Sequence, residues 1–204
     1  MDQSGTGEEA GAGGVDLDEL AEQHAEAVSR YVAGRYKDAA SLFERTLARC
    51  RADLGAEHAV TLTVAGNLAV SAVAGGQRRR GLAMLMDNVA DRDRVFGGED
   101  PRTLTARDAL ATAYRLSGDV DQAVSLAANV TAMRRRVLGP AHPDTLTSRM
   151  GLALAEAAAG DMTAALTVLT AAINDAEHAY GTQHPRVVAL RDCGHTIGLT
   201  PSGA

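Results

Sequence analysis

The sequence is poor in most features that mark a catalytic, secreted or membrane protein. It contains no Trp, aromatic residues make up 3% of its 204 residues, and only 2 are Cys. A core without large rings has to be assembled from Ala, Leu, Val and Met, and short side chains let helix backbones approach closely. Cys50 and Cys193 sit near opposite ends of the chain, so no disulfide framework is expected and a reducing cytoplasm is the plain reading. Lys37 is the single lysine and the formal net charge is −6, which argues against the basic field that binding of nucleic acid rests on. The excess of Arg over Lys reads as the mark of a GC-rich coding sequence. The opening MDQSGTGEEAGAGG has neither the basic nor the apolar region of a signal peptide. No stretch reaches the ~18 apolar residues of a membrane span, since even Gly151 to Gly160 is interrupted by Glu156. His-Glu-x-x-His, Gly-x-Ser-x-Gly and a phosphate-cradling Gly-Lys-Ser/Thr are all missing, so no catalytic residue, metal ligand or cofactor is assigned.

Glycine, by contrast, is plentiful and ordered. Gly55, Gly97, Gly139 and Gly181 form one series at a spacing of 42 residues, and Gly34, Gly76, Gly118 and Gly160 form another. The text between them repeats as well: LGPAHPDTLTSRMGLALAEAAAGDMTAAL from Leu138 aligns with FGGEDPRTLTARDALATAYRLSGDVDQAV from Phe96. Such a period marks a stacked array of helical units.

Each unit reads as two helices. In the third, Pro101 or its neighbour opens helix A, Leu104, Leu110, Ala111 and Tyr114 recur at helical spacing, and Gly118 ends it. Asp119 is the candidate N-cap of helix B, whose last turn carries Arg134–Arg136 toward the negative end of the helix dipole. The expected fold is all-α: a right-handed α-solenoid of about four helix-turn-helix units, about 13–54, 55–96, 97–138 and 139–180, with a capping helix over 186–197. Residues 1–12 and 198–204 are expected to be flexible tails.

The interhelix element Leu138-Gly139…His142-Pro143…Thr145-Leu146 and its copies resemble the tetratricopeptide repeat, in particular the kinesin-light-chain type. The family's small helix-A position falls on Ala27, Ala69, Ala111 and Ala153, and its small helix-B position on Ala39, Gly81, Ala123 and Ala165. This resemblance implies a concave groove lined by the A helices that binds a protein or peptide. The helix-A asparagine of the family appears only as Asn67, against Ala25, Ala109 and Gly151, so an asparagine ladder is not implied.

Register places His24, Val28, Tyr31 and Val32 of the first unit in the groove, then Thr63, Gly66, Asn67, Val70 and Val73. The third unit gives Thr105, Asp108, Thr112 and Arg115, and the fourth Met150, Gly151, Leu154 and Ala157. The candidate binding residues are Tyr31, Asn67, Val70, Asp108, Thr112, Arg115, Met150 and Leu154. Arg115 would take a ligand carboxylate while Asp108 and Asn67 position an amide; the plainer alternative is a solvated Asp108–Arg115 ion pair. His58, His142 and His184 recur at one loop position, about a repeat apart, which suits capping rather than one metal ion. Arg78–Arg80 at the start of a B helix, where the dipole disfavours cations, is a candidate docking patch for an acidic partner. The leading function is therefore a non-catalytic scaffold that binds a protein or peptide. A small-molecule-binding or catalytic protein of a bacterial secondary-metabolite pathway, or a self-associating structural module, are the alternatives.

Overall fold

The computed structural model describes residues 17–198. The tail expected at 1–12, the start of the first unit, and all of the tail expected at 198–204 but Gly198 lie outside those residues. Among the described residues there are nine helices: α1 (Leu17–Val32), α2 (Tyr36–Asp53), α3 (Ala59–Ala74), α4 (Arg78–Phe96), α5 (Pro101–Ser117), α6 (Val120–Leu138), α7 (Pro143–Ala158), α8 (Met162–Tyr180) and α9 (Pro185–Thr196). Each unit holds its two expected helices, and the capping helix expected over 186–197 is α9, displaced by one residue at each end.

The turns explain the glycine arithmetic. Gly97 follows α4 with φ 89° and ψ 157°, and Gly118 follows α5 with φ 91° and ψ 2°. Both series adopt positive φ throughout, from Gly34 to Gly181, which a Cβ would make costly. Each A helix from α3 onward then starts on a side-chain cap. His58, His142 and His184 accept through Nδ1 from the backbone N–H two residues on, and Asp100 does so through its carboxylate. Capping is the role expected of these histidines. Asp119 differs: it stands at the N-cap of α6 without a capping bond, whereas Asp161 caps α8 by accepting from the Ala164 N–H at 2.8 Å.

Consecutive helices pack against each other along the whole chain. The odd-numbered A helices also touch one another, α1 with α3, α3 with α5, α5 with α7 and α7 with α9, while no contact joins the even-numbered B helices among the described residues. That asymmetry bends the stack: the A helices crowd the inner, concave side and the B helices fan out on the convex side. The small positions do what the sequence implies. Ala27, Ala39, Ala69, Ala123, Ala153 and Ala165 are fully buried where A and B helices cross.

Gly81 goes further. A Cβ there would lie 2.5 Å from Val73 Cγ2 and 2.7 Å from the Ala69 carbonyl, so α4 approaches α3 more closely than an alanine allows. The same approach covers Val73, which packs with Leu85 in the core. Val73 is therefore not a groove residue, contrary to its register. Gly81→Ala is expected to destabilise the array by about 1–2 kcal/mol, because overpacking against backbone outweighs alanine's better helix propensity of about 1 kcal/mol. Thermal melts of the two proteins check the sign: a higher melting temperature for Gly81→Ala would contradict the tight crossing.

Candidate functional site

The concave face is formed by α1, α3, α5, α7 and α9, and its two ends differ in chemistry. At the first, α1 and α3 enclose a cleft of about 220 Å³ lined by Val28, Tyr31, Phe43, Asn67, Val70 and Ser71. Phe43 comes from α2 and is buried at the base, one of the chain's few aromatic rings. Tyr31 packs edge-on against Tyr36 with ring centroids 5.2 Å apart.

Asn67 is held by His24. Its Nδ2 lies 2.8 Å from His24 Nε2, so the carboxamide donates and the imidazole accepts, as a neutral ring. Burial lowers the His24 pKa below its ordinary value, in keeping with that state. A histidine that resists protonation in the folded chain adds stability that is present above the free imidazole's pKa of about 6.5 and is lost as pH falls through it. His24→Gln is therefore expected to show a smaller fall in melting temperature than the parent between about pH 7.5 and pH 5.5. Parallel melts at those pH values check it, and equal falls would contradict the coupling.

Farther along, Asp108, Ala111, Thr112, Arg115, Thr147 and Gly151 surround a smaller hollow of about 70 Å³ between α5 and α7. A Cβ on Gly151 would meet nothing within 4 Å, so the missing side chain leaves open space there. Asp108 and Arg115 do not pair with each other. Asp108 binds the Arg134 guanidinium, delivered from α6, and accepts from Ser148 Oγ of α7 at 2.8 Å. Burial raises its pKa, and the charge of Arg134 opposes that shift. The Arg115 guanidinium has no hydrogen-bond or ion-pair partner among the described residues, although its charge reaches Cys193, whose thiol pKa burial raises and Arg115 lowers. Met150 lies in a shallow hollow between α7 and α9, beside Leu146, Arg186 and Leu190, and Leu154 is half-buried against the last core cluster.

The eight candidate residues thus fall into three places. Tyr31, Asn67 and Val70 share the first cleft; Asp108, Thr112 and Arg115 share the second; Met150 and Leu154 lie beyond it on α7. Asn67 does not share a hollow with Asp108 and Arg115.

The arginines, read from composition as incidental, hold the units together. Arg92 and Arg134 stand one period apart and are both buried. Arg92 donates to the Arg102 carbonyl and to Thr63 Oγ1, and Arg134 to the Asp144 carbonyl and Thr105 Oγ1, which are the same places one unit on. Arg107, Arg149 and Arg191 each reach a carbonyl nine residues back, at Gly98, Pro140 and Thr182. Arg94 and Arg136 pair with Glu57 and Glu99, again in step. A planar fork with five donors can clasp a carbonyl and a side chain at once, which an ammonium on a flexible stem does less well. Arg134 thereby leaves the simple helix-dipole role expected of it. Arg80, in the expected docking patch, is engaged by Glu44 at 2.5 Å and by Gln77. Among the described residues no group of His, Cys, Asp and Glu is arranged to hold a metal ion, and no helix is long and apolar enough to cross a membrane.

The chain resembles known repeat proteins over most of its length. A family model described as tetratricopeptide repeat matches residues 22–59, 103–144 and 145–186. Among solved structures, the putative kinesin light chain nearly identical TPR-like repeats of Podosopora anserina share 28% identity, with 88% of this chain and 87% of that chain covered and a TM-score of 0.73. A singly substituted form of the same repeats has the same identity and coverage and a TM-score of 0.74. BtubC (BKLC) from P. vanneervenii shares the fold at 22% identity, covering 81% of this chain and 66% of that chain with a TM-score of 0.68. No curated protein matches the chain.

Proposed function

We propose a function from one premise: the chain belongs to the tetratricopeptide repeat family. It acts in the cytoplasm as a non-catalytic scaffold that binds an extended segment of a partner protein along its concave face. The observation that carries this reading is the cleft of about 220 Å³ between α1 and α3, apolar at its base and edged by the pre-oriented Asn67. A cleft of that kind accepts one apolar side chain, whose burial supplies affinity at about 25 cal/mol per Å² before the costs of association, while the carboxamide fixes the direction of the bound backbone. Arg115, uncommitted within the described residues, gives the second hollow a cation for an acidic group of the same segment.

A randomised peptide library selected on the folded protein tests this. Enriched peptides should bind in the micromolar range, and Arg115→Glu should weaken them about tenfold or more while leaving the circular dichroism spectrum unchanged. Binding unaltered by Arg115→Glu would remove Arg115 from the site. No enrichment at all would remove the scaffold reading.

A further inference from the structure

Two equivalent sites, one period apart, differ by a single charge. In the third unit the buried Arg134 is neutralised by Asp108, with Ser148 bonded to both. One period earlier the arginine is kept and its acid is absent: Arg92 is buried at 7% exposure, Gly66 stands where Asp108 would be, and Ala106 replaces the serine. Arg92 donates to three neutral oxygens, Asn88 Oδ1 at 3.0 Å, the Arg102 carbonyl at 2.9 Å and Thr63 Oγ1 at a long 3.4 Å. Two of its five N–H groups have no partner among the described residues. Of the nearby charges, Asp100 favours the Arg92 cation, but it is bound to Arg102 through both carboxylate oxygens, and repulsion from Arg102 outweighs that attraction.

A cation so placed is held at a desolvation penalty that a carboxylate would offset. The carboxamide of Asn88, not a carboxylate, stands nearest to that place. Gly66 carries no side chain and is half-buried near the exposed Thr63, and a Cβ built on it would lie 3.1 Å from Asn88 Oδ1 and 3.9 Å from Arg92 Nη2. We infer that Gly66, Thr63 and Arg92 form a subsite for one Asp or Glu side chain of the bound segment, whose carboxylate takes the position that Asp108 fills from within the chain one unit on. The partner completes a buried ion pair that the array leaves half-made. The subsite adjoins the apolar cleft through Asn67, the residue after Gly66, so the acidic residue falls at a fixed short distance from the apolar anchor. This inference rests on the scaffold reading above and adds the acid and its place.

The test uses the full chain, the randomised peptide library and a swap of unit identity. Gly66→Asp with Asn88→Val installs in unit two the pair found in unit three, Asp108 and Val130, and the valine also removes the Asn88 Oδ1 that would lie 3.1 Å from the new Cβ. Peptides enriched on the parent are expected to share an Asp or Glu at one position relative to an apolar residue. Changing that acid to Gln should weaken binding about tenfold or more to the parent and less than about twofold to the swapped protein. Arg92→Met, checked for folding by circular dichroism, should abolish the preference for that acid at that position, while the apolar preference and the acid that Arg115 takes remain. Enriched peptides without an acidic residue at a fixed place beside the apolar one, or a preference for that acid that survives both changes, would overturn the subsite and leave the scaffold reading standing. A library that enriches nothing would overturn both.

Discussion

Asp108→Ala is expected to destabilise the array by about 3 kcal/mol. The replacement strands Arg134, a guanidinium only 4% exposed, without its counter-charge, and removing one partner of a buried pair typically costs about 3–5 kcal/mol. The lower end applies because the aspartate itself is about a fifth exposed, so water re-enters on its side. The damage should be local. In a stack of units each contacts only its neighbours, so α5, α6 and α7 lose protection while α1 and α2 keep it. Native-state amide exchange, read helix by helix, checks both size and place. A loss below about 1 kcal/mol would mean that water, rather than Asp108, solvates Arg134.

Phe43→Ala is expected to cost about 3–5 kcal/mol, the range for emptying a buried aromatic site. Phe43 is 1% exposed in the core shared by the first two units, beside Leu20, Leu47 and Leu68. Its ring lies 5.6 Å from that of His24, so its loss also frees the histidine that holds Asn67. The cleft would deepen, and peptides selected on the parent should bind Phe43→Ala more weakly even at temperatures where it stays folded. Urea denaturation followed by circular dichroism gives the stability change, and an unchanged midpoint would contradict the assignment of Phe43 as the base of that core.

Much of the fold was legible because its determinants are local. A glycine at positive φ, a proline or histidine at the start of a helix and an alanine at a crossing each act within a turn or against one neighbour, so they repeat visibly. The site was less legible. Helix geometry places Asp108 and Arg115 on one face, yet seven residues are about 10.5 Å along the axis, and the true partner of Asp108 arrives from the next helix. Val73 keeps the groove's register but is covered because Gly81 lets α4 close over it. The arginine clasps end on backbone carbonyls, which carry no sequence signature. Their spacing did: Arg92 and Arg134, or Arg107, Arg149 and Arg191, keep the same step as the glycines. Treating the arginine excess as a property of composition hid that signal. The informative positions for binding are those where units disagree, and Gly66 against Asp108 is the sharpest of them.

The central claim is that partner recognition belongs to the concave face. Amide hydrogen exchange of the full chain, with and without a saturating enriched peptide, tests it most directly. Slowed exchange is expected in α1, α3 and α5, strongest around Asn67, with the exposed ends of α2, α4 and α6 unchanged. Protection confined to the B helices, or to α9 and the end of the stack, would contradict it.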